Sequence, residues 1–441
     1  MTISRKIKKK EQTLKASLSA AYYLTILLLY SCGSIVTTTS TSTPPKIFED
    51  ELSDNLKTAM ILEKNQSRFK TDISSFHYAE SEDFKLIFDD LSGGYQQYNL
   101  TIIHCNVDWT KSSLNDLEFL ESYNEFEFYD YDYSLNTKVS YTQYSVGLPK
   151  LKQPGNYILA VYKDNNTDHF ELTRRIVAYD NGIMLSPDLK PASDLSKRLT
   201  HHQLDFKMDY RAIESNDPIH DFTVVLRQNF RWDNALSGIK PVGLDPVNKQ
   251  LDFSFFDLDN SFPSTKEFRY FDARSYIFHG RRIVRHQKDN AGVYNLYVED
   301  DKPRNGLGYL DWKDMNGRYF VENTHPNAAE LEEDYFQVHF RLNKAPQLTD
   351  EKIYVVGGFN NWNRTPETVL KPSEDGTFYG TNILMKQGFY DYMYISESEN
   401  EYQHEGLAFE AENEYEIIIY FRDPVRRYDK IVGYYHQIFK P

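Results

Sequence analysis

Residues 353–395 read IYVVGGFNNWNRTPETVLKPSEDGTFYGTNILMKQGFYDYMYI. The pattern is that of short strands cut by turns. Residues 353–356 are apolar and mostly β-branched, and Gly357 and Gly358 stop them. A second run spans 378–385, and Gly388 breaks it before 389–394, which alternates strictly. Period-two geometry then turns Tyr390, Tyr392 and Tyr394 to one side and Phe389, Asp391 and Met393 to the other. Asp375-Gly376 is a hairpin signal. The stretch holds no nucleophile–base pair and no metal-ligand cluster, so it reads as the edge of a β-sandwich that presents surface.

The rest of the chain extends that reading. At 441 residues it is too long for one ordinary core, which predicts several domains. A formal charge of −15 argues against nucleic acid, whose phosphates require a basic footprint. The 34 Tyr and 28 Phe against 4 Trp favour pleated, half-buried faces, hence an all-β protein.

Residues 1–32 carry an address rather than a fold. Arg5, Lys6, Lys8, Lys9, Lys10 and Lys15 form a positive start, followed by an apolar run over 20–30 that is too short to span a bilayer. Leu29-Tyr30-Ser31-Cys32 resembles a lipoprotein lipobox, with Tyr30 where a small residue is usual, so Cys32 is the expected lipidation site. A Ser/Thr/Pro-rich tether follows over 33–50. With Cys32 removed to the lipid, Cys105 is left as a buried small hydrophobe and no disulfide is expected.

Tandem Ig-like or E-set β-sandwiches are expected beyond the tether. Strand-like runs place a first sandwich over 51–181, a middle β domain over 182–345 and a C-terminal sandwich over 346–441, with 182–199 read as a connection between the first two. Residues 114–120 suggest a helical turn or two, and no helix of ordinary length is expected.

The chemistry-bearing constellations each have a plain structural reading. Arg269, Asp272 and Arg274, in EFRYFDARSY, fit a half-buried charge network better than an acid–base site, because no nucleophile stands near them. Asp257–Asp259 and Asp130–Asp132 imitate the start of a calcium loop, but both lack the glycine and the closing carboxylate that such a loop needs. Trp232, in QNFRWDN, is read as an aromatic capping a sandwich end, with a recognition platform as the alternative. No catalytic, cofactor or metal site is expected. Tyr390 and Tyr392 join Trp232, Trp362, Arg269, Asp272 and Arg274 as candidate interface or structural residues.

Two resemblances bear on function. GGFNNWN with DGTFYG and GFYDYMYI is similar to glycogen-binding modules, which would make Trp362 a candidate sugar contact, although the module's downstream stacking Trp has no equivalent here. A glycan-binding surface lipoprotein is therefore the alternative function. More of the chain resembles the plug protein family of the type IX secretion system of Bacteroidetes. The resemblance is carried in order by TKVSYTQYSVGLP and PGNYILAVY (137–162), LRQNFRWDNA (226–235), KEFRYFDARS (266–275), DYFQVHF (334–340), IYVVGGFNNWN, LMKQGFYDYMY (384–394) and EAENEYEIIIYFRDPVRRYDKIVGY (410–434). It implies an exported, β-rich, non-catalytic protein at the periplasmic face of the outer membrane. Its partner would be the very large outer-membrane barrel of that system, whose lumen it seals by steric occlusion between transport events.

Overall fold

Strand Gly388–Ser396 is where the chain crosses itself most densely. One of its edges pairs with Arg269–Asp272, and the other is shared by Tyr319–Val321 and Ile353–Val356. All its residues except Phe389 are buried. The alternation of 389–394 holds: Tyr390, Tyr392 and Tyr394 enter one core, and Met393 enters a second on the opposite face. The surface edge expected here is thus corrected to a central strand covered on both sides. Tyr is tolerated inside because its hydroxyls are satisfied: those of Tyr392 and Tyr394 donate to Asp301 at 2.6 and 2.9 Å. Gly388 must lack a side chain, since a Cβ there would lie 2.3 Å from the Phe320 carbonyl oxygen.

The computed structural model describes residues 46–66, 69–325, 328–345 and 352–441. The expected signal peptide, Cys32, most of the tether and the start of the third unit at Pro346 lie outside the described residues. Within Lys46–Pro441, one compact unit, six sheets pair into three sandwiches. The described α-helices are single turns, Asp116–Phe119 and Pro218–Asp221, beside short 3-10 segments such as Tyr78–Asp83.

In the first sandwich, a sheet built on Tyr98–Cys105, Gly155–Lys163 and Leu172–Tyr179 faces one built on Leu56–Glu63, Phe84–Asp90, Thr142–Gly147 and Asp130–Tyr133. Cys105 is buried and free, and burial pushes its thiol up to about 12. The second sandwich packs His201–Asp209 and its neighbours onto a sheet ordered Leu236–Ile239, Phe222–Gln228, Asn413–Arg422, Asp429–Phe439. The third encloses the Tyr390–Tyr394 face with Tyr335–Asn343 and Phe378–Lys386.

Sheet membership does not follow the expected domain boundary at 345/346. Tyr335–Asn343 pairs along its whole length with Phe378–Lys386, and Asn413–Arg422 returns to pair with Phe222–Gln228. The third sandwich is therefore inserted into the second. A strand's own pattern announces that it is a strand but not which partner it finds, so a linear reading cuts the chain in the wrong place. The 182–199 connection is also corrected. Met184–Pro191 is an edge strand paired with His201–Asp209, and Pro187 and Pro191 are tolerated there because an edge need not donate on its outer side.

The sandwiches are joined by charges wholly removed from water. Lys386 of the third meets Asp89 of the first at 2.6 Å, with side chains 1% and 0% exposed. Tyr335 and Gln143 donate to the same carboxylate, at 2.7 and 2.9 Å. Met60, Leu62 and Ile87 from the back of the first sandwich complete the third sandwich's core around this pair. Removing one partner strands the other in a dry site. Asp89→Ala should lower unfolding free energy by about 3–5 kcal/mol in urea titrations. Asp89→Leu combined with Lys386→Met should recover most of that loss.

Candidate functional site

The three sandwiches meet around a cleft of about 380 Å³, lined among others by Arg174, Arg175, Trp232, Asn361, Trp362 and Tyr434. A larger neighbouring cleft, about 680 Å³, shares Arg174, Asp50, Tyr319 and Asn361 with it. Each arginine at this seam is claimed by another segment. Arg174, on strand Leu172–Tyr179, pairs with Asp72 and with Asp50 and also donates to Asn361 of the third sandwich. Arg175 donates to the Phe48 carbonyl at 2.5 Å and lies 4.9 Å from the ring of Trp109. Arg227, fully buried, pairs with Glu416 at 2.7 Å, donates to Ser75 of the first sandwich at 3.0 Å and covers Trp232 at 4.2 Å. Tyr179 and Tyr434 stack across the same seam with centroids 4.0 Å apart.

Trp232 therefore stands at the junction of sandwiches, edge-on to Trp109 at 4.8 Å, with its face under a guanidinium. Trp362 is 5% exposed. Its backbone is left-handed, with φ +62°, in the turn that Gly357 and Asn360 close through a 3.0 Å side-chain bond. The ring is held between Arg231, 4.5 Å above it, and the edge of Phe268, and Gly317 (φ +83°) leaves room where a Cβ would sit 2.5 Å from the indole. A sugar needs an open ring face, and Arg231 occupies this one. Tyr390 and Tyr392 are core residues for the reason given above.

Arg269 and the Asp272–Arg274 pair lie apart. Arg269 is the hub of a buried node: it donates to Asp301 at 2.7 Å and to Glu405 at 2.9 Å, while Arg282 and Arg304 brace the same two carboxylates. Burial opposes ionisation of Glu405, but Arg269 and Arg304 outweigh it and hold the carboxyl down at about 2. Arg274 instead grips Asp272 with two bonds, 2.9 and 2.8 Å, and reaches Glu322 at 2.9 Å in a half-buried position. Both are charge networks that lock strands. Sequence reasoning missed Asp89, Arg174, Arg227, Arg231 and Glu405, whose partners are remote in the chain. The acidic segment 257–261 forms a turn closed by Asp259 N–H on Asp257, and 130–133 is strand. Among the described residues no cluster of three or more His, Cys, Asp or Glu is placed to hold a metal.

One group of carboxyls runs against the rest. Asp391 is buried on the central strand, where it accepts bonds from Met315 and Gly317 N–H. Burial and the nearby Asp314 push it well above the carboxylate range. Burial likewise raises Asp314 to about 6 and Glu267, bonded by Tyr309, to about 7. Raised carboxyls favour the folded state when protonated. Their contribution is full below the unfolded value, about 4, and is lost as pH rises through 6 to 7. Buried His104, His202 and His404, which burial holds neutral, add a slope of the opposite sign, so the carboxyl effect is read as a difference: Asp391→Asn should gain stability relative to wild type as pH rises from 5 to 8 in paired chemical-denaturation series.

Comparison with known proteins agrees with this architecture. Residues 56–180, the first sandwich, match the type 9 secretion system plug protein 1st domain. The chain is also similar to a hypothetical protein from Parabacteroides merdae ATCC 43184, known from a crystal structure at 2.30 Å resolution. The TM-score is 0.82 and the identity 25%, over 89% of this chain and 100% of that one. No curated protein matches. The matched family is a secretion plug domain family rather than an enzyme family. The first sandwich is thus a type IX secretion system plug domain by its match over residues 56–180.

Proposed function

We propose that this protein seals the periplasmic opening of the type IX outer-membrane barrel by steric occlusion and is displaced when cargo is engaged. The match of residues 56–180 to the plug family's first domain carries the reading, and with it come association with the type IX machinery and a place in the cell envelope. The physical support is stiffness. The sandwiches share cores, the buried Lys386–Asp89 pair and hydrogen bonds from Arg227 and Arg174 across their seams, so the body presents a fixed outline to an opening. A wide, water-filled barrel leaks unless protein fills its lumen.

Two experiments test this. Affinity purification of the full chain from outer membranes should recover the type IX barrel, and deletion of the protein should raise outer-membrane permeability to large antibiotics. Recovery of no barrel together with unchanged permeability would overturn the reading.

Cys32 is proposed as the acylated residue that holds the body at the membrane. Several hydrocarbon chains on one cysteine anchor far more firmly than one. Cys32→Ser should move the protein from the membrane to the soluble fraction, and mass spectrometry of the wild-type mature N-terminus should find acyl-cysteine.

A further inference from the structure

Strand Asp130–Tyr133 closes one sheet of the first sandwich, and all four of its residues are exposed. It pairs only on its inner side, Asp130 opposite Ser145 through Tyr133 opposite Thr142. The next pair along, Ser134 with Tyr141, is hydrogen-bonded at 2.9 Å. Antiparallel pairs alternate between bonded and non-bonded, so Asp132 and Asp130 spend their backbone groups on the inner neighbour. Tyr131 and Tyr133 turn their N–H and C=O outward, where no described residue takes them.

The side chains around this open edge are unusual in two respects. Tyr129, Tyr131, Tyr133 and Tyr95 are 75%, 38%, 53% and 45% exposed, and the Tyr131 ring lies 4.8 Å from Tyr95 and 5.9 Å from Tyr133, forming one patch. The segment from Glu121 to Tyr133, ESYNEFEFYDYDY, carries five acids and no Lys or Arg, the next base along the chain being Lys138. Asp130 and Asp132 have no ion-pair partner among the described residues. The two features fall on opposite faces of the strand: Tyr131 and Tyr133 lie on the face of Tyr144, and the two aspartates on the face of Gln143.

We infer that the Asp130–Tyr133 edge docks an extended segment of the barrel's periplasmic rim by strand addition, a segment in which Lys or Arg alternates with apolar residues. The inference rests on the plug reading and gives it a surface. Main-chain bonds from Tyr131 and Tyr133 would supply affinity, and the alternation would set the partner's pattern, with bases beside Asp130 and Asp132 and apolar groups on the tyrosines. The uncompensated acid selects a basic occupant over a second copy of this chain. Self-pairing centred on Tyr131 would place Asp130 directly opposite the copy's Asp132, and like charges so placed repel.

The test is binding of the purified full chain to the purified type IX barrel, measured by interferometry at low and high salt. Tyr133→Pro removes an outward N–H that the sheet does not use. Asp130→Lys with Asp132→Lys reverses the charge. Each should weaken binding by about tenfold or more, and the charge reversal should also abolish the salt dependence. Val425→Ser, on an exposed turn of the second sandwich, should change nothing, and thermal melts should show every variant folded. If a complex forms and the edge variants bind as wild type does, the docking edge is wrong and the plug reading stands. If wild type forms no complex, both fall. If wild type is a dimer that Tyr133→Pro dissociates, the occupant is a second copy and the inference is overturned.

Discussion

Two opposite charges held out of water, Lys386 and Asp89, fix the arrangement on which the rest of this molecule depends. Removing each ion from water costs several kcal/mol, and only close, fully bonded geometry offsets it. Burial pushes the Lys386 ammonium below its usual value, while Asp89 pulls it back up. Such a pair adds little to stability compared with a well-packed apolar contact. Its effect is on alternatives: any sliding of the third sandwich over the first leaves both charges buried and unpaired. Between the second and first sandwiches the paired Arg227 and Glu416, both of the second, hold Ser75 of the first with bonds of 3.0 and 3.2 Å, and Arg174 of the first reaches Asn361 of the third at the central cleft. Three sandwiches of ordinary hydrophobic packing thereby behave as one body.

The topology reinforces the charges. The chain leaves the second sandwich after Ser261–Pro263, builds the third, and returns with Asn413–Arg422 as a central strand of the second. Tyr415, Ile417 and Ile419 on that strand fill the second core, while Ile418 and Tyr420 pack with Val177 of the first sandwich. The Arg227–Glu416 pair closes a loop of 189 residues. Contacts of such sequence separation form late, after loop entropy has been met by local structure. The second sandwich is complete only when the chain has returned from the third, so two crossings of the chain, not one linker, join them.

Much of this was legible, and the rest was hidden for identifiable reasons. The alternation of 389–394 announced a strand and sorted its side chains correctly, because period two is a local property. It did not announce that the strand is central: tyrosine reads as a surface residue until Asp301 is known to satisfy its hydroxyls. Met184–Pro191 reads as a linker because two prolines disqualify a central strand but not an edge. Arg269 stood out as a charge-network residue from its setting in EFRYFDARSY, yet Glu405 and Asp301 were invisible as its partners, since pairing between distant segments leaves no periodic trace. Trp232 and Trp362 both line the central cleft, but what decides their role, a guanidinium across each ring, comes from Arg227 and Arg231. In sequence Asp130–Asp132 reads only as a failed calcium loop. The same letters make sense once they are placed on a free edge.

That edge also shows how one set of residues serves solubility and recognition together. An unpaired strand invites association with any other strand, and natural proteins blunt such edges with charge. Asp130 and Asp132 penalise a like copy as well as the chain's own acidic surface, net −15 overall. The charge that protects the edge is indifferent to backbone bonding, so it does not close the edge to every partner. It admits a strand that brings compensating bases and refuses one that does not. A rigid body needs only one such selective margin to be seated in a fixed orientation, because the buried ion pairs at its seams transmit that orientation to the far end of the molecule.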